Sequence, residues 1–489
     1  MNDTKNAHFK LNGTSSVIII LSLIAIMVMF TESMLIPALP TLQAEFNSTA
    51  TWTAWILSIY LVVGTVSTPI FGKLGDSYGK KKMLLICMAL YTVGVVANGF
   101  AWDIQSLLAF RALQGLGLAM FPLAYAIIRD EFPPEKVAMA TGIVSAMFGV
   151  GTAIGLVAGA WITDNFGWRM TYHSIVPLAI FVTLLAAYLL RESPIRTPSK
   201  VDYLGAGTFS AGIVAFLVAM TEGQNWGWTS INTLGLLATS LVFFVLLFLV
   251  ESRVPEPMIN LTLLSKRNVF FTNVAAFVVG LTMYMMFESI VYLVRAPLPV
   301  GFGSSIFDAG LLFVPGSILL LLASPLAGAV VNRRGARLPL VLGSVVLSAS
   351  FLYFYGLHDT KLQVIVGFMV MGVGMGFMLV SMINIIIQSV RQGETGIATA
   401  MNTLFRTAGG VLGPTIASVL LAEYVSPLVI QTPRGPIPGP LLPNATAFNY
   451  IFLTALGISL VGVLVTLFVS SRAAEIEAYE PVKEAAAAV

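Results

Sequence analysis

A few ionisable side chains inside long apolar stretches are the residues of this sequence that could do chemistry. Glu32 has four apolar neighbours at helical spacing, Val28, Met29, Leu35 and Ile36. Apolar surroundings favour the protonated form of a carboxyl group, whereas a nearby cation favours the charged form. Glu32 is therefore predicted to exchange a proton for a lipophilic cation. The alternative is that Glu32 pairs permanently with an arginine as part of the structure.

A second carboxyl group lies between two tyrosines. Tyr284, Glu288 and Tyr292 recur every four residues and so share one helix face, with Arg295 one turn further along. A carboxylate between two aromatic rings suits an organic cation, through charge and through attraction to the ring faces. This face predicts a substrate or proton site. The alternative is a hydrogen-bonded cluster at the end of the span, in which Arg295 satisfies Glu288.

Two arginines also lie inside apolar stretches, where each needs an acceptor. Arg111 shares a helix face with Gln114, and Glu32 is the acidic side chain available to it among the early spans. Arg111 is predicted to act in proton coupling and Gln114 in substrate binding; alternatively, Arg111 braces backbone carbonyl groups. Arg406 follows Asn402 by one turn. A gating or structural role is predicted for Arg406 and a substrate contact for Asn402.

Other residue types add less to the site. Asn384 and Gln388 form a polar stripe at helical spacing and are candidate substrate-binding residues. No metal site is predicted, because the three histidines lie far apart and Cys87 is the one cysteine. The pattern G-x4-G-K-[S/T] is absent, so ATP is not expected to drive the protein directly. No cofactor is expected, and the coupling ion is predicted to be a proton.

The composition determines the class of protein. The chain has 489 residues, 57% of them hydrophobic and 10% charged, whereas soluble chains have about 25% charged residues. Its mean hydropathy is +0.89. These values exclude a soluble globule, a disordered chain and a coiled coil. We expect an all-α polytopic membrane protein that contacts the lipid bilayer, binds a small molecule, binds no nucleic acid and functions as a monomer.

Apolar runs separated by polar breaks predict fourteen membrane spans. They are 16–38, 52–71, 84–102, 105–127, 138–162, 171–190, 203–221, 231–250, 269–294, 309–331, 339–357, 364–387, 397–422 and 447–470. With the N-terminus inside, 20 of the 26 Lys and Arg residues fall in inside segments. This bias predicts a cell inner (plasma) membrane protein with both termini cytoplasmic. The proline-rich segment 423–446 is predicted to be an extended outside loop.

Three short patterns recur at offsets of 256 to 258 residues. The pattern P-x2-G-x3-[D/N]-x2-G begins at Pro69 and at Pro325, and two glycine pairs recur in later spans. Because the recurrences keep their order, they predict two similar six-helix halves around a central site. The expected division is a first half at 1–200, an inserted pair of helices at 201–256, a second half at 257–472 and a cytoplasmic tail at 473–489.

The repeated patterns also predict a gate and a close helix pair. The gate candidates are Gly72, Asp76, Gly79, Lys80, Asn332 and Gly335, together with Arg406. Asp76 is expected to accept hydrogen bonds from a helix N-terminus of the other half; alternatively, the loop is only an anchor at the lipid headgroups. The packing candidates are Gly151, Gly155, Gly159, Gly409, Gly413 and Pro414. Small residues at this spacing allow helices that must rock to approach closely.

These patterns resemble the major facilitator superfamily over nearly the whole chain. The resemblance rests on the loop at 72–82, on Leu107-x3-Arg111-x2-Gln114-Gly115-x-Gly117 and on the glycines of the fifth span. Fourteen spans and the segments 201–205, 221–228 and 400–410 resemble the fourteen-helix drug:proton antiporter branch. That resemblance implies an acidic residue at Glu32 and a proton-handling role for Arg111. Two positions depart from the pattern: Leu156 stands where a proline is usual, and Ser77 where an arginine is frequent.

The predicted function is secondary active transport, in which lipophilic cationic small molecules are exported in exchange for protons. The alternative on the same scaffold is proton-coupled transport of a lipid or lipid-like molecule. An enzyme is not expected, because no His-rich or paired-aspartate pattern is present to supply a nucleophile or an acid/base pair. The two similar halves favour alternating access over a channel or a receptor.

Overall fold

The structure is a computed structural model that describes residues 13–193, 201–255, 257, 259–390, 395–432 and 435–470. Residues 194–200, at the end of the predicted first half, and the whole predicted tail at 473–489 lie outside these residues. Within the described chain, fourteen helical segments are long and apolar enough to cross a membrane, as the sequence predicts.

In the described chain, the first half contains eight helices. They are α1 (Gly13–Ser33), α2 (Leu39–Glu45), α3 (Ala50–Tyr78), α4 (Lys80–Asn98), α5 (Ile104–Gly115), α6 (Met120–Glu131), α7 (Pro134–Phe166) and α8 (Trp168–Leu189). The inserted pair is α9 (Tyr203–Trp226) and α10 (Ile231–Glu251). The second half contains α11 (Leu261–Leu264), α12 (Arg267–Arg295), α13 (Ile306–Arg334), α14 (Arg337–Gly356), α15 (Lys361–Gln388), α16 (Thr395–Glu423) and α17 (Ala445–Leu467).

The first span is broken, which the sequence prediction of one helix at 16–38 did not anticipate. Helix α1 ends at Ser33, a 3-10 turn occupies Ile36–Ala38, and α2 then continues to Glu45. Pro37 has no N–H with which to reach the carbonyl of Ser33, so the α-helical hydrogen-bond pattern cannot continue there. The break places the residues just before Ser33 at the C-terminal end of a helix inside the bundle.

Helix α7 packs backbone to backbone against α1. A Cβ atom built on Gly151 would lie 2.7 Å from the carbonyl oxygen of Ile26, and one on Gly155 would lie 2.6 Å from that of Phe30. Gly159 approaches the carbonyl of Met34 in the same way. Any larger residue would separate the two helices, so these glycines set the distance between them.

The same contact occurs in the second half between α16 and α12. A Cβ atom on Gly409 would lie 2.0 Å from the carbonyl oxygen of Phe277, and one on Gly413 would lie 2.3 Å from that of Leu281. Phe277 and Leu281 follow their counterparts on α1 by 251 residues. The two halves therefore use equivalent backbone contacts, and Pro414 follows directly inside α16.

The halves are joined by hydrogen bonds near one end of the bundle. We call the end that carries Lys80–Lys82 the basic end. At the opposite end, the hydroxyl of Tyr292 donates to Oε1 of Gln43 over 2.6 Å. At the basic end, a Cβ atom on Gly72 or Gly328 would meet no atom within 4 Å. The described structure is therefore closed at the opposite end by a bond between the halves, and at the basic end it leaves space beside these two glycines.

The proline-rich segment between α16 and α17 forms a hairpin. Strand β1 (Val425–Thr432) pairs antiparallel with β2 (Gly435–Pro443), with Val425 opposite Pro443. The prediction of an extended segment did not include this pairing, since the hydrogen-bond partner of an extended strand cannot be read from proline content.

Candidate functional site

Glu32 lies at the interface between the two halves. It occupies the last turn of α1, and its side chain is 8% exposed. The hydroxyl of Tyr284, from α12 of the second half, donates a hydrogen bond to Oε1 of Glu32. Among the described residues, Oε2 has no hydrogen-bond partner. A single buried carboxyl group thus joins the break in α1 to the second half and keeps one oxygen available.

Arg111 holds backbone carbonyl groups rather than the Glu32 carboxylate. Its guanidinium is fully buried, with Nε donating to the carbonyl of Ile56 over 3.0 Å and Nη1 donating to that of Thr31 over 3.2 Å. The guanidinium also stacks over the ring of Tyr60. The predicted direct partner, Glu32, is therefore not its hydrogen-bond acceptor. The bond to Thr31 still places this positive charge one residue from Glu32, at the negative end of α1.

A second cation reaches the same carboxyl group from the other half. Arg406 of α16 and Arg111 of α5 are the two cations that interact electrostatically with Glu32. Arg406 was predicted for the gate or a structural role, and the structure places it within range of the central carboxyl group. Glu32 therefore has one positive charge from each half in its surroundings.

Glu288 is buried without a partner. Its side chain is 0% exposed, and neither carboxyl oxygen has a hydrogen-bond partner among the described residues. Arg295 does not satisfy it, because Nη1 donates to the carbonyl of Ser304 and Nη2 to the hydroxyl of Thr41. An uncompensated charge costs several kcal/mol in such a place. Glu288 therefore needs either a proton or a cation brought to it.

The two tyrosines beside Glu288 bond away from it. Tyr284 donates to Glu32, and Tyr292 donates to Gln43 of α2. Both bonds run from α12 to the first half. The predicted stripe of Tyr284, Glu288 and Tyr292 is thus one face of α12 that lies against the other half, with the two hydroxyl groups linking the halves.

The other predicted substrate-binding side chains are held locally. Oε1 of Gln114 accepts from Asn98 over 2.9 Å. The amide of Asn402 donates to Oδ1 of Asn273 over 3.1 Å, within the second half.

On α15, Asn384 donates to the carbonyl of its own helix at Val380. Gln388 is exposed at the last position of that helix. None of these four amides has Glu32 as its hydrogen-bond partner in the described structure.

Two of the gate candidates, Asp76 and Lys80, belong to an ionic cluster within the first half. Lys80 is buried and bonds to Asp130, and its Nζ lies 3.8 Å from Oδ1 of Asp76. Asp130 also accepts from the hydroxyl of Ser193 over 2.6 Å. Among the described residues, Asp76 has no hydrogen bond to a helix of the other half, so the expected gate contact is not seen there. Asp130 was missed by sequence reasoning, since its distance from Lys80 follows only from the packing of α4 on α6.

Glu192 caps the start of α4, and this contact was missed too. Its carboxylate accepts from the backbone N–H groups of Lys81 and Lys82 over 3.1 and 3.0 Å. Gly79 makes room for it, because a Cβ there would lie 2.7 Å from the carboxyl carbon of Glu192. Gly79 and its repeat counterpart Gly335 both have positive φ, 113° and 79°, which explains why each loop has glycine there. Asn332, three residues before Gly335, is exposed.

Comparison with known proteins decides the family. The sequence model of the Major Facilitator Superfamily matches residues 21–414 and 277–488. The chain belongs to the major facilitator superfamily. Members of this superfamily are transporters and not enzymes, so the chain is a multi-pass membrane transporter, as the sequence predicts.

Several curated members of the superfamily are similar to the chain. Multidrug resistance protein 3 of Bacillus subtilis is 30% identical over 74% of this chain and 71% of its own length. Multidrug transporter protein MdtP of the same organism is 27% identical over 78% and 71%. The tetracenomycin C resistance and export protein of Streptomyces glaucescens is 28% identical over 79% and 72%.

A solved structure agrees with the fold. The human organic anion transporter MFSD10 (TETRAN) aligns with a TM-score of 0.62, at 14% identity, over 93% of this chain and 99% of its own. At this identity the likeness concerns the fold, and it supports a major facilitator architecture for the fourteen spans.

Proposed function

We propose that this transporter exports lipophilic cationic small molecules in exchange for protons, by alternating access between its two halves. The names of its relatives support export of drug-like compounds, since two are multidrug proteins and one is a resistance and export protein. Each relative shares less than a third of its residues with this chain, so the substrate class and the coupling ion depend on the site itself.

The observation that carries the proposal is the setting of Glu32. A buried carboxyl group with one free oxygen, at a helix break between two moving halves, is suited to hold a proton in one state and a cation in another. Ionisable groups at this depth are costly, so they persist where they have a role. Glu32 is the principal coupling residue in this mechanism.

The remaining residues divide between charge compensation and cargo binding. Arg111 and Arg406 stabilise the ionised form of Glu32 after the proton has left. Glu288 receives the positive charge of the cargo or a second proton, because nothing in the described structure compensates it. Tyr284 and Tyr292 provide ring faces for the cargo.

The direction of transport follows from charge bias along the chain. The basic end is the cytoplasmic end if Lys and Arg follow the positive-inside rule. Cargo then enters from the basic end, displaces the proton of Glu32 toward the cytoplasm and leaves at the opposite end. Both termini are then cytoplasmic, the protein acts as a monomer in the inner membrane, and no cofactor is needed.

The test is substrate-driven proton release from purified protein in proteoliposomes, with ethidium as a lipophilic cationic probe. Glu32→Gln preserves the shape of the side chain and removes the titratable group, so proton release is expected to fall to background. Glu45→Gln is the matched control, because Glu45 is a half-exposed carboxylate that bonds to Arg169 at the opposite end. Proton release from Glu32→Gln equal to that of the parent would contradict the proposal.

A further inference from the structure

Two features that join the halves have consequences beyond the proposed function. The first is the bond from Tyr284 to Glu32. We propose that Tyr284 is a positioning residue through which the second half responds to the charge of Glu32. This inference rests on the proposed proton coupling. It identifies Tyr284 as the side chain that responds to the charge of Glu32.

The position of Tyr284 is fixed by close packing. A Cβ on Gly410 of α16 would lie 2.8 Å from Cδ2 of the Tyr284 ring, so the glycine leaves the space that the ring fills. The ring also packs edge-on against Phe287, at 6.1 Å between centroids. With its ring held on both sides, the hydroxyl is directed at Oε1 of Glu32.

The chemistry of this bond depends on the proton. A phenol that donates to a carboxylate forms a charge-assisted bond about twice as strong as one to a neutral carboxylic acid. Loss of a proton from Glu32 therefore tightens the link between α1 and α12, and protonation loosens it. The bond converts the charge of one residue into a change in how firmly the halves are held together.

The other groups around Glu32 do not duplicate this bond. From the helices packed around it, the titratable or charged groups that interact with Glu32 are Tyr60 of α3, Tyr91 of α4, Arg111 of α5, Tyr284 of α12 and Arg406 of α16. Tyr91 bonds to Thr31 instead. Tyr125 of α6 interacts with Arg406, and Tyr172 of α8 with Arg111. In the described structure, Tyr284 is the side chain that hydrogen-bonds the Glu32 carboxyl group.

The test is Tyr284→Phe, which keeps the ring beside Gly410 and removes only the hydroxyl. Ethidium binding is measured against pH by fluorescence. Without the donor, the ionised form of Glu32 is less stable, so the midpoint for binding is expected to move to higher pH by about one unit. Tyr450→Phe is the matched control, because Tyr450 is exposed on α17 and packs against Tyr424, away from the groups that interact with Glu32, and its midpoint is expected to stay at the parent value.

The outcomes separate this inference from the proposed function. If Glu32→Gln abolishes proton release while Tyr284→Phe keeps the parent pH midpoint, the role of Tyr284 is refuted and the proposed function stands. If Glu32→Gln releases protons normally, the proposed function itself fails. A folded Tyr284→Phe protein, checked by its elution profile and melting curve, with the shifted midpoint supports both.

The second cross-half feature involves the inserted helix α9, and it is independent of proton coupling. The segment 221–224 at the end of α9 bonds to α3 in the first half. Nε1 of Trp52 donates to Oε1 of Glu222 over 3.0 Å, and Nε1 of Trp55 donates to Oγ1 of Thr221 over 2.7 Å.

The same end of α9 also bonds to α16 in the second half. The amide of Gln224 donates to the carbonyl of Val419 over 3.0 Å and to Oε2 of Glu423 over 3.2 Å. At the basic end, Val201 and Asp202 share a small cleft with Pro69, Ile70 and Lys73 of α3, so both ends of α9 lie near α3. One inserted helix therefore bridges the two halves where they are closed.

We infer that α9 is a strut that stabilises the state closed at the opposite end. Its side chains hold α3 and α16 together, and these bonds have to break or slide when that end opens. Removing a bond between α9 and α3 is expected to make the opposite end open more easily. Removing a bond between α9 and α16 is expected to have the same effect.

The test measures opening with one reporter cysteine. Ser304 is buried at the opposite end, so Ser304→Cys in a Cys87→Ser background reacts with a thiol reagent when that end opens. Gln224→Leu and Trp52→Phe are each expected to raise the labelling rate several-fold, and the double variant is expected to add less than the sum because both act on one strut.

The matched control is Asn225→Leu, since Asn225 bonds to Glu222 within α9 and, among the described residues, to no group of α3 or α16. Its labelling rate is expected to equal that of the parent. Parent-like labelling in both Gln224→Leu and Trp52→Phe, in protein that still binds ethidium, would refute the strut.

Discussion

At the scale of single residues, the two buried carboxyl groups differ in what compensates them. Glu32 has a phenol donor and one arginine from each half, whereas Glu288 has neither a donor nor a cation that bonds to it in the described structure. Groups with such different surroundings are suited to different steps of one cycle. Glu32 is equipped to exist as an ion between the halves, and Glu288 to receive a charge that arrives with the cargo.

Glu288→Ala tests this division. Transport of ethidium is expected to fall by about tenfold more than transport of a neutral lipophilic dye, which corresponds to about 1.4 kcal/mol of lost interaction with the charge. The comparison is made by initial rates in proteoliposomes. Glu288→Gln serves as the isosteric control and is expected to show the same preference, because it also lacks the charge. An equal loss for both dyes would rule out a cation-binding role.

At the scale of helices, glycine spacing controls how closely α7 approaches α1. Gly155 faces both the carbonyl of Phe30 and the hydroxyl of Ser33, whose oxygen would lie 2.2 Å from an added Cβ. Ser33 ends α1, so the close contact supports the helix next to its break. The sequence could predict a close-packing face on α7 because glycines at i and i+4 share a face, but it did not identify α1 as the partner, and the break at Pro37 was not anticipated.

Gly155→Ala is expected to destabilise the protein by about 1 to 3 kcal/mol, because the added methyl group forces α7 away from a backbone carbonyl. The measurement is the thermal unfolding midpoint in detergent. Gly149→Ala is the matched control on the same helix, since its Cβ would make only an ordinary 3.7 Å contact with Leu320. Equal midpoints for the two variants would show that the glycine contact does not set the packing.

The loop between α3 and α4 is expected to affect the rate of transport. Asp76 is 39% exposed, and Lys80 also bonds to Asp130. Asp76→Asn is therefore expected to slow transport, through weaker closure of the basic end, and to leave ethidium affinity near the parent value. Affinity is measured by fluorescence titration and rate by efflux, with the exposed Asp359→Asn as control. A large loss of affinity at normal rate would contradict a gate role.

At the scale of the whole molecule, the sequence gives the number of spans and their repeat, whereas the contacts between halves come only from the structure. Hydropathy is a local property, so fourteen spans follow from it directly. The bonds of Tyr284 to Glu32 and of Lys80 to Asp130 join residues 252 and 50 positions apart. No local pattern determines such pairs, because the side chains that meet depend on helix tilt and rotation.

Cysteines at the two ends of the bundle are expected to differ in how fast they react with a thiol reagent. In a Cys87→Ser background, Gly328→Cys at the basic end is expected to react at least about tenfold faster with a thiol reagent than Ser304→Cys at the opposite end, since the latter needs an opening motion. The Gly328 position tolerates the side chain, as nothing lies within 4 Å of its Cβ. Faster labelling at 304 would mean that the resting protein in the membrane is open at the other end.

The position of α9 also makes the two junctions between the halves differ in how many helices separate them from the lipid. Where α3 meets α16, α9 lies against both and α10 packs on α9, so a bilayer-dissolved molecule meets two additional helices there. Where α7 meets α13, Gly310 lets the two helices touch through the carbonyl of Leu156. A lipophilic compound diffusing within the leaflet is therefore expected to meet fewer helices on its way to the interior at the α7–α13 junction than at the α3–α16 junction.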